Sequence, residues 1–498
     1  GVVGCGLARV LSRYDCRVTV LEKADDVAEG ASKANSGIVH GGYDPQPGTL
    51  KAKTNAAGVE KLFRAAKELG VPHRRCGSFV CAFGKEEEET LRALLSRGEQ
   101  NGIGGLSILT GAEARALEPA LSPEVTAVLN VPGAGIICPY QLTIAAVGNA
   151  MDNGVTLRRN FEVQTISREA DGFTLTSTGG EQVRGRYLVN CAGGFSDQIA
   201  EMAGDGFFRI IPRAGEYLLL DKAVGSLVGR TIFAVPGKNG KGVLVTPTAD
   251  GNLLTGPTAE KVETPESRET TAAGLETVRR LAIRSVPGVD FRQVITSFCG
   301  VRASEAHGDF IIEPSRKVPG LLHIAAIDSP GLTSSAAIAE YAVSLLAGMG
   351  VKLERNPDFN PYRENMHAFR EMSDEEKNAF IQTHPDFGRM VCRCESVSEG
   401  EIRAAIRKNP GAVDVDGIKR RTRAGMGRCQ GGFCLPRVLK ILSEETGTVS
   451  MAVGGELKRN FSSEALRVAL ENGILWDRAR QGKGDKEKKG PFRRWRSK

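Results

Sequence analysis

The sequence lacks any long apolar run, and this absence excludes one class of protein at once. No stretch approaches the ~18 uninterrupted apolar residues of a membrane-spanning helix, so we predict no transmembrane segment. No G-X-Y period accompanies the 60 glycines, which excludes a collagen, and no other fixed repeat occurs. With 41% hydrophobic and 25% charged residues, a long disordered chain is excluded too. The glycine excess indicates many tight turns and close approaches of backbone to a ligand.

Cysteine is too scarce for a disulfide-rich scaffold. The chain has 11 cysteines in 498 residues, an odd number, and no secretory signal peptide is visible. Both observations predict a reducing, cytoplasmic setting. Seven of the cysteines are scattered, and we expect them to be small buried hydrophobic residues.

The positive charge is confined to one end of the chain. Of the net charge of +7, the segment from Lys483 to Lys498 carries +6, with eight Lys or Arg and two acidic residues. A nucleic-acid-binding fold carries its basic patch on the folded domain, so we predict no nucleic-acid partner. The tail is typical of a disordered, solvated segment. Docking on a partner or peripherally on the inner face of the cell membrane, aided by Phe492 and Trp495, is the alternative.

The first residues contain part of a dinucleotide-binding fingerprint. Gly1 and Gly4 fit the second and third glycines of G-x-G-x-x-G, and Glu22 follows Gly4 by 18 positions at the end of a predicted strand. Gly1 would let the backbone approach a pyrophosphate, Gly4 would let the helix pack closely on a strand, and Glu22 would bind ribose hydroxyls. The strand and glycine that should come first are missing, so we expect an N-terminal truncation. An ordinary strand–helix–strand unit is the alternative.

Three further segments could lay backbone against a large flat ligand. The loop from Glu29 to Gly42 consists mostly of small residues and presents His40 between glycines. A buried strand ends in the turn Ala192-Gly193-Gly194, and a later helix begins at Gly331-Leu332-Thr333-Ser334. The N–H groups at such a helix start can face an electron-rich ring edge or a carboxylate. Each segment alone is also compatible with an ordinary turn or capped helix.

In this order, the segments resemble FAD-dependent oxidoreductases of the D-amino-acid-oxidase-like class, over about Gly1 to Leu346. The motif Asn35-Ser36-Gly37 with His40-Gly41 is similar to the L-2-hydroxyglutarate oxidase branch. The resemblance implies FAD at Gly1, Gly4, Glu22, Ser36, Gly37 and the turns Ala192–Gly194 and Gly331–Ser334. It also implies a small anionic substrate over the flavin, held by a basic residue such as Arg302.

Two histidines are candidates for the catalytic base. Oxidation of an alcohol removes a hydride from carbon and a proton from oxygen, and histidine accepts a proton near neutral pH. We assign this role to His40, because the resemblance places its loop beside the flavin, with flavin positioning as the alternative role. His323 is the rival, although its strand setting favours a buried structural residue.

The last four cysteines form the pattern C-x-C…C-x4-C, from Cys392 and Cys394 to Cys429 and Cys434. Four thiolates suit a [2Fe–2S] cluster, in which each iron takes two. Zinc also accepts four cysteines, but its usual pairs have two to four residues between them. The stretch from Ile418 to Cys429 resembles the bacterioferritin-associated-ferredoxin-like [2Fe–2S] domain, so we predict a cluster.

The combination resembles the large subunit of anaerobic glycerol-3-phosphate dehydrogenases. A cluster that carries one electron at a time suits a dehydrogenase that passes its electrons to other carriers. The resemblance therefore implies partner electron-transfer subunits and a protein or quinone acceptor. Glycerol 3-phosphate is the first candidate substrate and a 2-hydroxy acid such as L-2-hydroxyglutarate the second. A third possibility is an electron-transfer subunit that turns over no substrate of its own.

We therefore predict an α/β protein with a Rossmann-like FAD-binding domain over residues 1–350. A β-rich substrate subdomain is expected within about 50–150 and 205–300. A linker over 351–388 leads to a small, mostly helical [2Fe–2S] domain over 389–445, and a C-terminal extension with the basic tail occupies 446–498.

Overall fold

The computed structural model describes residues 1–236, 242–447, 451–453, 456–458, 464–465 and 467–468. Most of the predicted C-terminal extension, including its basic tail, lies outside the described residues. The described chain forms two compact units, Gly1–Leu435 and Pro436–Lys498. No helix in the described ranges is both long and apolar enough to cross a membrane.

Helices and strands alternate along most of the first unit, as the α/β prediction requires. The described helices are α1 (Val2–Leu11), α2 (Leu50–Glu68), α3 (Lys85–Gln100), α4 (Gly111–Leu117), α5 (Pro139–Asp152), α6 (Ser196–Met202), α7 (Ala272–Ser285), α8 (Gly331–Gly348), α9 (Ala368–Glu371), α10 (Asp374–Thr383), α11 (Glu399–Arg407), α12 (Val415–Thr422) and α13 (Leu435–Thr446).

The described strands are β1 (Thr19–Leu21), β2 (Ile38–Val39), β3 (His73–Arg74), β4 (Ser78–Ala82), β5 (Ser107–Thr110), β6 (Ala127–Val131), β7 (Gly135–Ile137), β8 (Thr156–Arg158), β9 (Val163–Glu169), β10 (Gly172–Ser177), β11 (Gln182–Gly185), β12 (Leu188–Asn190), β13 (Ile211–Leu220), β14 (Thr231–Ala234), β15 (Leu244–Pro247), β16 (Leu253–Gly256), β17 (Glu260–Lys261), β18 (Val294–Ser304), β19 (Ile311–Pro314), β20 (Leu321–Ala325), β21 (Met390–Cys392), β22 (Val397–Ser398), β23 (Met451–Val453) and β24 (Glu456–Lys458).

The nucleotide-binding region contains parallel strand pairs covered by helices. β1 pairs in parallel with β8, and β12 pairs in parallel with β20. Helix α1 packs against α5 and α8, and its apolar side chains join a core with those of β20 and α8. Gly4 lets α1 approach the end of β12 closely, because a Cβ there would lie only 3.2 Å from the Cβ of Cys191. The α/β prediction is confirmed for this region.

The β-rich part is a nine-stranded, mixed sheet. Its order is β17-β13-β16-β15-β14-β4-β6-β5, with β18 paired to β13. The strands come from two stretches of sequence, between Ser78 and Val131 and between Ile211 and Ser304, so the sheet is interleaved with the nucleotide-binding elements. Its apolar core is closed by α7, whose buried Val278 and Ala282 lie among side chains of the sheet. β13 and β18 are its longest strands and run antiparallel.

The segment between the oxidoreductase elements and the cysteines is not a featureless linker. Its first half wraps over the nucleotide-binding helices, where the Pro361 carbonyl accepts a hydrogen bond from Arg9 at 2.9 Å. Its second half forms α10, which begins with a capping box between Ser373 and Glu376. The S-x-x-E pattern is typical of such a helix start, so this helix could have been predicted from the sequence.

The cysteine-bearing part of the first unit is mostly helical, as predicted. A short hairpin of β21 and β22 leads into α11, which Ser398 and Glu401 cap reciprocally. Asp414 caps α12, and Arg423 ends it in the left-handed conformation at φ 67°. The second unit contains the rest of α13 and the antiparallel pair β23–β24.

Candidate functional site

One large cavity runs through the first unit. Its volume is about 1970 Å³, above the roughly 300–1,000 Å³ of a site for a drug-sized ligand. Both Glu22, after β1, and Arg302, on β18, line it. A cavity of this size can hold a dinucleotide together with a small substrate.

Most of the predicted FAD-binding residues line this cavity. They are Gly1, Gly4, Glu22, Ser36, Ala192, Gly193, Gly194, Gly331, Leu332 and Thr333. At the turn after β12, Gly193 has a φ of 59°, and no atom lies within 4 Å of a Cβ built there. Glycine adopts this conformation without steric cost, and its bare backbone leaves room for a ligand to approach.

Two predicted residues lie behind the cavity wall. Gly37 has a φ of 65°, and a Cβ there would lie 2.5 Å from the carbonyl oxygen of Ile137. This glycine therefore lets the loop pack against the strand end behind it, and it does not line the cavity. Ser334 is fully buried in the first turn of α8 and is also absent from the lining.

The loop that carries His40 is fixed to the start of α8. The backbone N–H of His40 donates to Thr333 Oγ1 at 2.7 Å, and Asn55 donates to the His40 carbonyl at 2.9 Å. The imidazole lines the cavity and stacks on Tyr43, with 4.9 Å between ring centroids. His40 is therefore held between aromatic residues at the cavity wall.

The rival histidine lies elsewhere. His323 is fully buried on β20, outside the cavity lining, and its Nε2 lies 3.2 Å from an Asp205 carboxylate oxygen. Burial lowers the pKa of His323, and Asp205 opposes that shift. The His323 side chain thus has the surroundings of a structural residue. This favours His40 as the base.

Two arginines on β13 and β18 contribute to the cavity lining. Arg213 and Arg302 are directly opposed in the strand register, so their side chains share one face of the sheet. Both line the cavity, and neither forms an ion pair with a carboxylate among the described residues. Two uncompensated guanidinium groups are a strong site for a phosphate or carboxylate.

Two further residues, neither of them a predicted site residue, lie beside Arg302. A Cβ on Gly215 would lie 2.8 Å from Arg302 Nη2, so this glycine leaves the space that the guanidinium occupies. Burial raises the pKa of Tyr217, while the adjacent Arg302 and a hydrogen bond with Ser36 oppose that rise. The pairing of β13 with β18 brings these side chains to Arg302. The stretch from Arg213 to Tyr217 resembles the L-2-hydroxyglutarate oxidase branch, but it does not reveal this contact.

The four predicted cluster ligands are joined in pairs. The Cys394 thiol donates to Cys429 Sγ across 3.6 Å, and Cys392 lies within hydrogen-bond reach of Cys434. As these side chains stand, no group of three or more His, Cys, Asp or Glu in the described ranges is spaced to hold one metal ion. A [2Fe–2S] cluster, in contrast, takes two thiolates at each iron, which suits paired thiols.

Backbone N–H groups surround one of these thiols. Burial opposes ionisation of Cys429, but hydrogen bonds from the backbone of Phe433, Gly431 and Gly432 lower its pKa. Donors of this kind also stabilise the sulfurs of an iron–sulfur cluster. The residues present therefore fit the cluster.

Buried ion pairs connect the cysteine-bearing helices to the loop beside the cavity. Asp26 is fully buried and accepts hydrogen bonds from Arg420 at 2.9 Å and Arg421 at 2.6 Å. Burial opposes ionisation of Asp26, but both arginines hold its pKa below the ordinary value. The next residue, Val27, lines the cavity. This electrostatic junction thus joins α12 of the cysteine-bearing part to a loop that contributes to the cavity lining.

Comparison with known proteins identifies both parts of the chain. Residues 1–345 match the family model "FAD dependent oxidoreductase", and residues 390–444 match "BFD-like [2Fe-2S] binding domain". A protein from Caloramator mitchellensis named glycerol 3-phosphate dehydrogenase is 45% identical over 90% of this chain and 93% of its own length.

Two other relatives match the oxidoreductase part. The FAD-bound structure of L-alpha-glycerophosphate oxidase from Mycoplasma pneumoniae is 33% identical with a TM-score of 0.69, over 73% of this chain and 96% of that one. Human mitochondrial L-2-hydroxyglutarate dehydrogenase is 33% identical over 52% of this chain and 59% of its own.

The cofactors are FAD and a [2Fe–2S] cluster, and the enzyme acts on a CH–OH group. The chain belongs to the family of FAD-dependent oxidoreductases and carries a BFD-like [2Fe–2S] binding domain in addition.

Proposed function

We propose that this protein oxidises glycerol 3-phosphate to dihydroxyacetone phosphate and passes the electrons through its [2Fe–2S] cluster to a separate acceptor. The assignment of this substrate rests on the pair Arg213 and Arg302, which are opposed on one sheet face at the cavity wall. A phosphate dianion carries two negative charges, and two guanidinium groups without carboxylate partners match it.

The relatives support the same substrate. The Caloramator protein aligns across both the oxidoreductase and the cysteine-bearing parts, whereas the human hydroxyglutarate enzyme aligns with about half of the chain. A 2-hydroxy acid is the second candidate, because the loop motif with Ser36 and His40 is similar to that branch and 2-hydroxyglutarate is also a dianion.

The residues of the cavity have separate tasks in this reaction. Bound FAD supplies the acceptor for the hydride of the C–H bond. Arg302 and Arg213 bind the phosphate and so fix the distance between the reacting carbon and the cavity wall. His40 accepts the hydroxyl proton at its imidazole. Its backbone donates a hydrogen bond to Thr333 and accepts one from Asn55, and both bonds hold the residue in place.

Anaerobic reduction tests this function directly. Glycerol 3-phosphate should bleach the flavin absorbance of the purified holoenzyme and yield dihydroxyacetone phosphate, while L-2-hydroxyglutarate should leave the spectrum unchanged. If only the hydroxy acid bleaches the flavin, the substrate is the second candidate, a 2-hydroxy acid. Bleaching by neither would favour an electron-transfer subunit without its own turnover.

Histidine variants test the proton acceptor in the same assay. We expect His40→Ala to lower kcat by roughly 10²–10⁴-fold with FAD still bound, because a positioned base contributes that much. His323→Ala is the comparison, read together with thermal stability. If His323→Ala keeps its stability but abolishes turnover while His40→Ala stays active, the two roles are reversed.

A further inference from the structure

Phe433 is exposed beside the cluster ligands. It is 87% exposed, although it directly precedes Cys434, which is buried. The loop from Cys429 to Cys434 turns tightly, because Gln430 and Gly431 both have a positive φ and Gly432 donates to the Cys429 carbonyl at 2.9 Å. Leu435, directly after the loop, is exposed as well. The loop therefore presents apolar side chains to solvent where burial would be expected.

Two arginines flank the same ligands. Arg393 precedes Cys394, and Arg428 precedes Cys429, while the two cysteine sulfurs lie 3.6 Å apart. Arg393 is exposed and has no ion-pair partner in the described part of the chain. Arg428 contacts Asp221 at 3.1 Å, yet its side chain remains 70% exposed. The surface over these ligands is therefore basic.

The nearest acidic side chain along the chain does not neutralise this surface. Glu395 follows Cys394, but it is buried and already paired with Arg423 at 2.7 Å and with Lys222 at 2.8 Å. Cys394 itself is exposed. An exposed ligand, two exposed arginines and a bare aromatic ring thus lie at or next to the paired Cys394 and Cys429, where the Phe433 backbone donates to Cys429. We call this set of residues the acceptor face: Arg393, Cys394, Arg428, Phe433 and Leu435.

We propose that the acceptor face binds an acidic protein that carries one electron at a time. Aromatic residues and arginine are the types enriched at the energetic centre of protein interfaces. The positive sign selects an acidic partner and repels a second copy of this same face. The inference rests on the proposed function only for the source of the electrons. In each encounter the reduced cluster would be oxidised by one electron, the carrier's iron would change from ferric to ferrous, and no bond would form or break.

Two carriers of opposite charge test the proposal. The holoenzyme is reduced with dithionite, without substrate, and the excess dithionite is removed by gel filtration under argon. The reduced enzyme is then mixed with oxidised rubredoxin, an acidic carrier, or with cytochrome c, a basic one. We expect rubredoxin to be reduced at least ten-fold faster at low salt, with an advantage that declines as salt screens the charges. Equal rates, or faster reduction of cytochrome c, would overturn the proposal.

Matched variants locate the interaction. Phe433→Ser should weaken rubredoxin binding, measured by calorimetry, roughly ten- to thirty-fold, as loss of an aromatic anchor does. Arg393→Glu should slow association and remove most of its salt dependence. The controls are Tyr362→Ser, at a side chain exposed by 69%, and Arg316→Glu, at one exposed by 89%, and neither should change binding.

The visible spectrum verifies that every variant retains its cluster. If Phe433→Ser loses the cluster, the double variant Arg393→Gln with Leu435→Ser tests the acceptor face instead. Binding unaffected by these changes, or binding only to vesicles of anionic lipid, contradicts the proposal. Because dithionite supplies the electrons, failure here is distinct from failure of glycerol 3-phosphate to bleach the flavin.

Discussion

The wall of the FAD cavity and the junction with the cysteine-bearing helices are built from opposite kinds of residue. At the wall, the absence of side chains is decisive, as at Gly4 beside Cys191 and at the left-handed Gly193. At the junction, two large cations and one carboxylate are taken out of water together, as Asp26 binds Arg420 and Arg421.

The two regions differ in the substitutions that they tolerate. A ligand fills the space at the cavity wall, so a small change there affects affinity for the ligand more than the fold. A buried ion pair is sensitive to the loss of one partner, because the other charge then remains without compensation in a medium of low dielectric constant. The comparison therefore predicts cofactor defects at the wall and folding defects at the junction.

Removal of a cluster ligand should have the largest and most selective effect. In Cys392→Ser we expect complete loss of cluster iron with FAD retained, because the two cofactors are held by separate residues. Iron analysis and the flavin spectrum of the same sample measure both. Cys76→Ser, a thiol outside the pattern, is the control. Loss of FAD together with iron would show that the regions are not separable.

Arg421→Met should destabilise the fold by about 3–5 kcal/mol, because it leaves Asp26 buried with one partner fewer. Urea unfolding followed by circular dichroism gives the change in the free energy of unfolding. Addition of Asp26→Asn should recover part of the loss, and Arg316→Met, at an exposed site, should cost almost nothing. A loss below about 1 kcal/mol for Arg421→Met would mean that the junction is not the sensitive region.

A change at the cavity wall tests the other half of the comparison. Glu22→Ala should lower FAD affinity roughly ten- to a hundred-fold, since a hydrogen bond to a charged group contributes about 1.5–3 kcal/mol. Stability without FAD should hardly change. Glu22→Gln keeps one acceptor oxygen and should lose less. FAD titration followed by fluorescence measures both, and equal affinity in all three proteins would remove Glu22 from the site.

The smallest predicted effect is a dependence of stability on pH. Burial lowers the pKa of His367 to about 4, whereas an unfolded chain binds a proton at about 6.5. The contribution is therefore complete well above pH 6.5 and declines as the pH falls through 6.5, by about 1.6 kcal/mol between pH 6.5 and 5.

His367→Gln should flatten this dependence, and His307→Gln, at an exposed residue, should not. Part of the slope should remain in the first variant, because burial also lowers the pKa of His323. Urea unfolding at a series of pH values measures the slopes. Equal slopes for His367→Gln and the unchanged protein would contradict the assignment.

Local patterns made much of the fold predictable. The predicted strand that ends at Glu22 is β1, and the predicted strand that leads into the turn Ala192-Gly193-Gly194 is β12. The turn at Gly331 begins α8 as expected. Such features depend on residues within a few positions of one another, and side-chain periodicity and turn residues report on them directly.

Both cofactors could be predicted from local motifs of this kind, whereas the contacts around them could not. The cysteine spacing and the glycine turns are readable because each set of donors lies within one or two short segments. The pairing of Asp26 with Arg421 spans 395 positions, and the opposition of Arg213 to Arg302 depends on how two strands align. No short-range pattern encodes a register or a domain junction, because both arise from the free energy of burying whole surfaces together. The sequence by itself thus determined which cofactors the protein binds. The tertiary structure decided which charges line the cavity and which join the cysteine-bearing helices to the loop beside it.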